Sequence, residues 1–487
     1  MLVSALRISN LMKTTITVSI LFLAVLFPNI LAAQQPGLYG IAADTPSRWQ
    51  SETGFTQEPQ KDAFWWKKFN DPLLDSLISL GLERNYNLAM AARRIEIARQ
   101  TLRSARSAYY PSVNLSAGWN KIRNSGNTTA RSVPETNLDY FSGSVSASWE
   151  VDLFGKITSR VKQSKESLKA TRAETAGVMV SLCGEIASAY IQLRMYQDEL
   201  TVAKEQHKSQ NHVYDAAKSR HEAGLASKLD VAQAAVIAHS TEAMIPGLET
   251  NVESALNSLS TLVGDFPGAL TALSDTVAYH RLDLRQIVPV GVPLDLLRRR
   301  PDLAEAEFTV ASSAAALGMA KKDYLPSLTI DGSIGFAYHS LKDFGKKESL
   351  QWSVAPTLSW TVFDGFARRA AVITARENMQ NSVDSYNLTL LSAVQDVNDA
   401  MASYTSSLRA IDSYSKVVDD AREAFTLAFD LYRDGLSDFT DVADAQISLL
   451  QYADRLVTAR ADAALALVTL YRALGGGWDI DSINDNK

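Results

Sequence analysis

The sequence predicts an α+β chain in which pairs of short strands alternate with long antiparallel coiled-coil hairpins. Three observations predict this class: an apolar seam with a period of about 3.5 residues, a repetition of the whole pattern within the 487 residues, and four segments of alternating apolar and polar residues. A period of about 3.5 is typical of paired helices, whereas a period of two is typical of a strand with two unlike faces. We therefore expect an internal two-fold repeat of strands followed by a hairpin.

The N-terminal residues 1–33 have the composition of a secretory signal peptide. Arg7 and Lys13 precede a short apolar run from Ile16 to Phe27, and Leu31-Ala32-Ala33 supplies small residues at the expected cleavage site. We therefore expect this segment to be removed during export. The next residues, 34–70, are rich in Pro, Gln and aromatic side chains and are predicted to be extended.

The first repeat is predicted to span residues 71–264. Alternating side chains predict strands at about 111–122 and 138–151, and the seam predicts a helical hairpin at 155–264. The turn of this hairpin is placed at Gly224-Leu225, because a glycine commonly ends a long helix in a left-handed conformation.

The second repeat is predicted to span residues 292–475 with the same order of elements. Its strands are expected at about 326–339 and 350–363, and its hairpin at 365–474. The turn at Gly435-Leu436 corresponds to the turn of the first hairpin. The seam leading to this turn consists of Ala393, Val397, Ala400, Tyr404, Ser407, Ile411, Tyr414, Val418, Ala421, Phe425, Ala428 and Tyr432.

Two segments lie outside the repeats. Residues 265–291 form a linker of irregular composition between them, and residues 476–487 form a C-terminal tail. A two-fold repeat of this length favours a symmetric assembly over a solenoid, which needs several short repeats.

The strands alternate strictly and carry tryptophans near their ends, namely Trp119, Trp149, Trp352 and Trp360. This pattern is typical of a lipid-facing transmembrane barrel, although a soluble sandwich shows the same alternation. Four strands cannot close a barrel that has a pore. Three chains would supply twelve strands, and a closed barrel leaves no unpaired edge in lipid.

Composition excludes several classes of function. With 48 Lys and Arg against 54 Asp and Glu, the net charge of −6 gives no support for nucleic-acid binding. Cys183 is the single cysteine, so neither an intrachain disulfide nor a cysteine–histidine metal site is expected. No phosphate-binding glycine loop and no nucleophile–base spacing is present, so we expect no enzymatic activity and no cofactor or metal.

Several motifs resemble the outer-membrane factor family (TolC, OprM and NodT-like proteins). The most specific is Arg299-Arg300-Pro301-Asp302, which is typical of the OprM/NodT branch that serves resistance–nodulation–division efflux pumps. The segments Ser148–Gly155 and Trp360–Gly365 are similar to the strand-to-helix junctions of the family. The Gly-Leu turns, each followed by Asp-Val, are similar to its periplasmic helix tips.

The resemblance implies a homotrimer with a 12-stranded transmembrane β-barrel, four strands per chain, continued by a 12-helix periplasmic α-barrel. It implies an outer-membrane export channel that passively conducts drugs or other small molecules. The implied partners are a periplasmic adaptor (membrane fusion protein), an inner-membrane transporter of the resistance–nodulation–division type, and outer-membrane lipid. Because no cysteine lies near Ala33-Gln34, we expect no lipidation, in contrast to many members of the branch.

The resemblance also implies a gate at the tip. Asp441 and Asp444 match acidic positions of the family, and rings of carboxylates around an aperture select cations. The competing interpretation is that carboxylates near a helix N-terminus complement its dipole. Tyr432 and Asp230 match positions whose bonds between hairpins hold the tip shut, whereas Ser437 replaces a basic partner that some relatives have there.

The docking candidates are Gly224, Leu225, Gly435 and Leu436. Each glycine is expected to cap a helix, and each leucine lies where no core is available to bury it. Two alternative functions remain open: the outer-membrane duct of a type I protein secretion system, or a secreted coiled-coil structural protein without a pore. The alternating strands argue against the second alternative, because an adhesive protein needs no lipid-facing barrel.

Overall fold

The computed structural model describes most of the chain after the predicted signal peptide. The described residues are 48–49, 55–56, 64–123, 137–274, 284–285, 288–293 and 296–476, all within the unit Asp44–Lys487. The predicted signal peptide (1–33), most of the predicted extended segment and the tail beyond residue 476 therefore lie outside the described residues.

Helices dominate the described chain, and six of the eight described helices form three pairs of equal length. In order they are α1 (Pro72–Arg84), α2 (Tyr86–Ser107), α3 (Lys156–Glu222), α4 (Lys228–Leu262), α5 (Leu296–Arg299), α6 (Pro301–Lys322), α7 (Ala367–Arg433) and α8 (Phe439–Ala473). Both α3 and α7 have 67 residues, both α4 and α8 have 35, and both α2 and α6 have 22. A helix of 67 residues is about 100 Å long. Pairs α3–α4 and α7–α8 pack as antiparallel hairpins.

Side chains at the helix ends explain where several helices begin. The carboxylate of Asp71 accepts hydrogen bonds from the amides of Leu73 and Leu74 at 2.9 and 3.3 Å, and so caps α1. Asn85 caps α2 in the same way through the amides of Asn87 and Leu88. Such caps satisfy amide groups that have no partner within the first turn.

The expectation of an extended segment up to residue 70 is wrong at its end. Residues Trp65–Phe69 form a 3-10 helix, and the ring of Trp65 is fully buried. It stacks on Tyr471 of α8, with ring centroids 5.3 Å apart and planes 18° apart. Burial of these aromatic side chains against a distant helix outweighs the local preference for an extended chain.

In the described part of the chain, six strands form two sheets. They are β1 (Phe55–Thr56), β2 (Ser112–Arg123), β3 (Asn137–Val151), β4 (Val288–Pro289), β5 (Ser327–Tyr338) and β6 (Leu350–Ser359). Strands β1 and β4 pair in parallel and join the N-terminal segment to the linker between the repeats. The other four form an antiparallel sheet in the order β2-β3-β5-β6, with β2 and β6 at its edges.

The two faces of the four-stranded sheet differ. On one face, serine hydroxyls contact each other across the strands: Ser116 with Ser144 at 3.0 Å, and Ser333 with Ser353 at 2.9 Å. The other face is apolar, and many of its side chains are exposed in the protomer; they include Val113, Leu115, Trp119, Val145, Trp149, Ile334, Trp352, Val354 and Leu358. An exposed apolar sheet face of this size needs a partner other than water.

Strand β6 ends at Ser359, so the predicted extension to residue 363 is wrong. Ser359 pairs with Ser327, the first residue of β5. The residue before it is Pro326, which has no N–H to continue the ladder. Beyond this point the indole of Trp360 donates to the carbonyl of Tyr324 at 2.9 Å.

Helix α3 is the one described helix with the length and apolar composition of a candidate membrane span. Its 18-residue window has a mean hydropathy of 1.3 and is half buried in the protomer. Packing accounts for part of this apolar character: Ile186 is fully buried, and a Cβ on Gly81 of α1 would lie only 2.2 Å from its side chain. The hydroxyl of Tyr190 donates to Asp71 at 2.5 Å on the same side.

A carboxyl group between the hairpins generates a pH prediction. Glu199 of α3 is partly buried, and burial together with the negative charge of Asp454 of α8 raises its pKa to about 7. A carboxyl whose pKa is raised by folding stabilises the fold fully below its unfolded pKa, and that stabilisation is lost as the pH rises to the folded pKa. We expect Glu199→Gln to raise the thermal unfolding temperature at pH 8 but not at pH 4, as measured by circular dichroism.

Asp454→Asn provides the control for this prediction. Removing the neighbouring charge should reduce the loss of stability between pH 4 and pH 8, because the charge contributes to the raised pKa of Glu199. An equal effect of Glu199→Gln at both pH values would show that packing, not protonation, governs this site.

Candidate gate and docking site at the helical tip

The two hairpin turns have the same backbone structure. Gly224 and Gly435 adopt left-handed conformations with φ values of 74° and 76°. The amide of Leu225 donates to the carbonyl of Arg220, and the amide of Leu436 to that of Leu431, both at 2.8 Å. This hydrogen-bond pattern is that of a Schellman cap, and it satisfies carbonyls that have no partner in the last helical turn.

The leucines that follow these glycines are exposed. Leu225 and Leu436 have 67% and 74% of their surface accessible in the protomer. In a Schellman cap the residue after the glycine often packs back on the helix, but here both side chains point away from the helix cores. An exposed leucine on each turn is a candidate contact for another protein.

Tyr432 and Asp230, the residues predicted to hold the tip shut and called the latch below, meet between the two hairpins of one protomer. The hydroxyl of Tyr432 on α7 donates to Oδ2 of Asp230 on α4 at 3.3 Å. Tyr432 is only 3% exposed, and its ring packs edge-on against Phe439 at 5.4 Å. Asp230 is fixed by Ser227, whose hydroxyl donates to its carboxylate and accepts from its amide.

Arg220 completes this cluster, although the sequence did not identify it. Its guanidinium lies 5.0 Å from the ring centroid of Tyr432 and donates to the carbonyl of Arg433. It also reaches the carbonyl of Leu225 at 3.5 Å. A basic residue in the last turn of a helix usually complements the helix dipole, so no sequence pattern specifically predicts the contact with Tyr432.

The electrostatics of the cluster keep Tyr432 protonated. Burial and the charge of Asp230 raise the pKa of the Tyr432 hydroxyl, although Arg220 opposes the shift. The tyrosine therefore remains a hydrogen-bond donor to Asp230 at physiological pH. Arg220 supplies a cation at the tip, over the ring of Tyr432.

Asp441 and Asp444 lie on the first two turns of α8, and both are exposed in the protomer. Asp441 is in the first helical turn, where a carboxylate also complements the helix dipole. The structure thus places both residues at the tip beside the latch. Whether they line an aperture stays a prediction.

The signature residues lie at the other end of α8, about 50 Å from the tip. Arg300 donates to the carbonyl of Ala473 at 3.1 Å and forms ion pairs with Asp302 at 2.7 Å and Asp396 at 3.0 Å. Burial by itself would lower the pKa of Arg300, but its hydrogen bonds and ion pairs with Asp302 and Asp396 raise the pKa above the usual value for arginine. The arginine therefore joins α6, α7 and α8 instead of contributing to the tip.

The neighbouring signature residues support this junction. Pro301 occupies the first turn of α6, where its missing N–H is not needed. Gly475 has a φ of 96°, and a Cβ there would lie 2.5 Å from the carbonyl oxygen of Arg299. The signature is thus a structural junction at which two chain segments approach closely.

The described residues include no group of three or more His, Cys, Asp or Glu side chains that could hold a metal ion. Cys183 is buried, and burial raises the pKa of its thiol to about 12. A thiol with this pKa is not a nucleophile at neutral pH.

Long paired helices with exposed tips, joined to a sheet with one apolar face, define the class of outer-membrane channels. The profile of the outer membrane efflux protein family matches residues 77–265 and 292–476. The chain belongs to this family. Each of the two matched ranges covers two strands of the four-stranded sheet and one long helical hairpin.

Individual proteins show the same relationship. Nodulation protein T of Rhizobium leguminosarum is 28% identical over 416 residues, which cover 85% of this chain and 88% of the relative. The pyoverdine export outer membrane protein OpmQ of Pseudomonas putida is 29% identical over 462 residues, covering 93% and 96%. The structure of the outer-membrane channel OprN superposes with a TM-score of 0.82 at 28% identity, covering 89% of this chain and 97% of that one. The predicted resemblance to OprM/NodT-type outer-membrane factors is confirmed.

The Arg300 junction generates a stability prediction. Arg300→Ala leaves the Ala473 carbonyl and two carboxylates without their donor, so we expect the C-terminal turn of α8 to open more easily by about 1–3 kcal/mol. Hydrogen exchange of the amides near Ala473 measures this opening. Arg422→Ala is the control: it removes a 3.6 Å ion pair made by an arginine that is 65% exposed. It should change the hydrogen exchange of the amides near Ala473 very little. Equal protection in wild type and Arg300→Ala would contradict the structural role.

Proposed function

We propose that the chain forms the outer-membrane duct of a tripartite efflux pump and passively conducts drugs or other small molecules from the periplasm to the exterior. The observation that carries this proposal is the pair of exposed Gly-Leu turns at the end of helices about 100 Å long. An exposed tip so far from the sheet suits contact with proteins across the periplasm. Residues 1–33 would direct export and be removed, without acylation.

The proposed assembly is a homotrimer with a twelve-stranded barrel. In the protomer β2 and β6 are open edges, and such edges are not tolerated in lipid. Pairing β6 of each copy with β2 of the next would close the sheet. The apolar face would then contact lipid, and the serine-rich face would line the pore.

The protomer is also proposed to be an internal duplication. Helices α3 and α7 begin 211 residues apart, at Lys156 and Ala367, and have the same length. The strand register agrees: Val113 pairs with Ala147, and the corresponding residues Leu328 and Leu358 pair in the second repeat. Two similar hairpins in each of three copies would give a tunnel of twelve helices with near six-fold symmetry.

Efflux is favoured over protein secretion by a type I system. Among the relatives are the solvent efflux pump outer membrane protein SrpC and the antibiotic efflux pump outer membrane protein ArpC, both of Pseudomonas putida. For this chain we accordingly propose an inner-membrane transporter of the resistance–nodulation–division type and a periplasmic adaptor as partners.

The adaptor is proposed to bind the two Gly-Leu turns. Because Leu225 and Leu436 are exposed apolar side chains, replacing both with Asp should abolish the drug resistance that the pump confers. Intracellular accumulation of a fluorescent substrate, with co-purification of the adaptor, measures the effect. Membrane insertion of the double variant should be unchanged.

Leu341→Asp is the matched control for the tip variants. Leu341 is 73% exposed, close to the value for Leu436, but lies in the connection between β5 and β6, away from the tip. It should leave efflux intact. Normal efflux in the double variant Leu225→Asp with Leu436→Asp would show that these leucines only follow helix caps.

Asp441 and Asp444 are proposed to ring the aperture of the closed trimer. Clustered carboxylates in a constriction attract cations strongly because the local dielectric is low. We expect Asp441→Ala with Asp444→Ala to lose cation selectivity and block by multivalent cations. Reversal potentials in a salt gradient across planar bilayers measure the selectivity.

Asp419→Ala with Asp420→Ala is the control for the gate. These aspartates are exposed on α7, about four turns above the tip, and their loss should preserve selectivity and block. Identical reversal potentials for wild type and the Asp441/Asp444 variant would leave the helix-dipole interpretation in place.

A further inference from the structure

The two repeats differ at one strained position beside the sheet. Phe366 is the N-cap of α7 and has a φ of 70°, and among the described residues it shares a positive φ only with Asn70 and with glycines. The corresponding N-cap of α3 is Gly155, with a φ of 76°. A left-handed conformation is costly for a bulky residue. In the protomer the ring of Phe366 packs edge-on against Phe363, with ring centroids 5.8 Å apart, yet 66% of the residue remains exposed.

The protomer shows how the corresponding glycine is used. Gly155 lies against Lys322, the last residue of α6, whose ammonium donates to the Gly155 carbonyl at 2.8 Å. It also donates to the hydroxyl of Ser159 at 2.7 Å. A Cβ on Gly155 would lie 3.1 Å from that ammonium nitrogen. The long lysine therefore fills the space that a side chain at residue 155 would occupy.

This contact belongs to the interface between the two repeats, which we call the seam in this subsection. The proposed trimer would have a corresponding seam between protomers. Helix α6 packs against both α3 and α7, whereas α2 packs against α3 with no comparable packing against α7 in the described part of the protomer. Likewise β3 pairs with β5, but β6 and β2 are edges. In the proposed trimer, α2 and β2 of the partner subunit would occupy beside α7 and β6 the places that α6 and β5 occupy beside α3 and β3.

Corresponding residues are 211 positions apart in the long helices α3 and α7, and 215 positions apart in the shorter helices α2 and α6. These two offsets identify the residues that would meet between protomers. Helices α2 and α6 begin 215 residues apart, at Tyr86 and Pro301, and both have 22 residues. The position of Lys322 in this seam is therefore taken by Ser107 of the partner subunit, opposite Phe366. The seam inside the protomer joins a glycine to a lysine, and the seam between protomers joins a phenylalanine to a serine.

A second pair along the same helices shows the same fit. A Cβ on Gly177 of α3 would lie 3.9 Å from the Cβ of Pro301, at the start of α6. The corresponding residues are Leu388 of α7 and Tyr86 of the partner subunit. Both are large apolar side chains left exposed in the protomer, at 66% and 75%. Each would be covered by the other in the seam.

We propose that Phe366 packs beside Ser107 of the partner subunit, and that this contact between copies of the chain fills the space that Lys322 fills inside the protomer. The proposal rests on the proposed trimer and specifies one of its contacts. Within the protomer, a small residue of the long helix (Gly155) meets a large residue of the short helix (Lys322). Between protomers the sizes are reversed, because the large Phe366 of the long helix meets the small Ser107 of the short helix. The contact explains both the exposure of Phe366 and its strained backbone.

Crosslinking tests the location of the contact. We expect Ser107→Cys with Phe366→Cys to give subunit crosslinks with a short bifunctional maleimide in the intact trimer. The buried Cys183 thiol, whose pKa is raised to about 12, should react little. Ile97→Cys with Phe366→Cys is the control, since residue 97 lies about 15 Å from residue 107 along α2, and should not crosslink.

An exchange of side chains tests the fit. Phe366→Gly relieves the backbone strain but removes the ring, so the trimer should dissociate about tenfold faster or more in detergent at elevated temperature. Ser107→Lys alone should also weaken the trimer, because the lysine would meet Phe366. The double variant Phe366→Gly with Ser107→Lys recreates the Gly155–Lys322 pair and should dissociate more slowly than either single variant.

The outcomes separate this proposal from the trimer itself. A wild-type chain that forms no trimer would overturn the proposed function. A wild-type trimer without the Ser107–Phe366 crosslink, or one that Phe366→Gly does not weaken, would overturn the contact alone. A fluorophore on Phe366→Cys that brominated phospholipid quenches as strongly as one on Val354→Cys would show that lipid covers this residue instead, and would also overturn it.

Discussion

The open edges of the four-stranded sheet constrain the rest of the molecule. Among the residues that the structure describes, β2 and β6 each have a strand partner on one side only. In hydrocarbon each backbone group without a hydrogen-bond partner costs several kcal/mol, so a sheet of this kind must close on itself or on copies of itself. Strands β3 and β6 lead into α3 and α7 within a few residues. Closing the sheet in the proposed trimer would therefore also fix where the long helices begin, and a ring of strands would lead into a ring of helices.

The two halves of the chain build similar scaffolds with different chemistry. The last carbonyl of α4, that of Leu262, accepts a hydrogen bond from the side-chain amide (Nδ2) of Asn85 at 2.9 Å. The corresponding carbonyl of Ala473 in α8 accepts from Arg300 at 3.1 Å, and this arginine adds ion pairs that Asn85 cannot make. Each repeat thus satisfies the same backbone group. Because the proposed trimer of duplicated chains would have two kinds of interface, such differences would let each interface acquire its own contacts.

The sequence predicts the elements whose signal is local and misses those that depend on distant partners. The seam period and the glycine turns locate both hairpins to within a few residues. The end of β6 was missed because it is set by Pro326 on the neighbouring strand, and the 3-10 helix at Trp65 because it depends on Tyr471, about 400 positions away. Arg220 was missed for the same reason: its contact with Tyr432 joins the two hairpins. Side chains between elements leave no periodic trace in the sequence.

The contacts at the tip connect the candidate docking residue to the candidate latch. The Leu225 carbonyl lies 3.5 Å from Arg220, whose guanidinium also lies on Tyr432, and Tyr432 in turn donates to Asp230. At 3.3 Å the last bond is long for a hydroxyl donor, so it contributes little on its own. Beneath it, the buried side chain of Phe439 keeps the hairpins in apolar contact. A protein that moved the Leu225 turn would therefore displace Arg220 and break the weak polar contacts first, while the apolar cluster held the hairpins together.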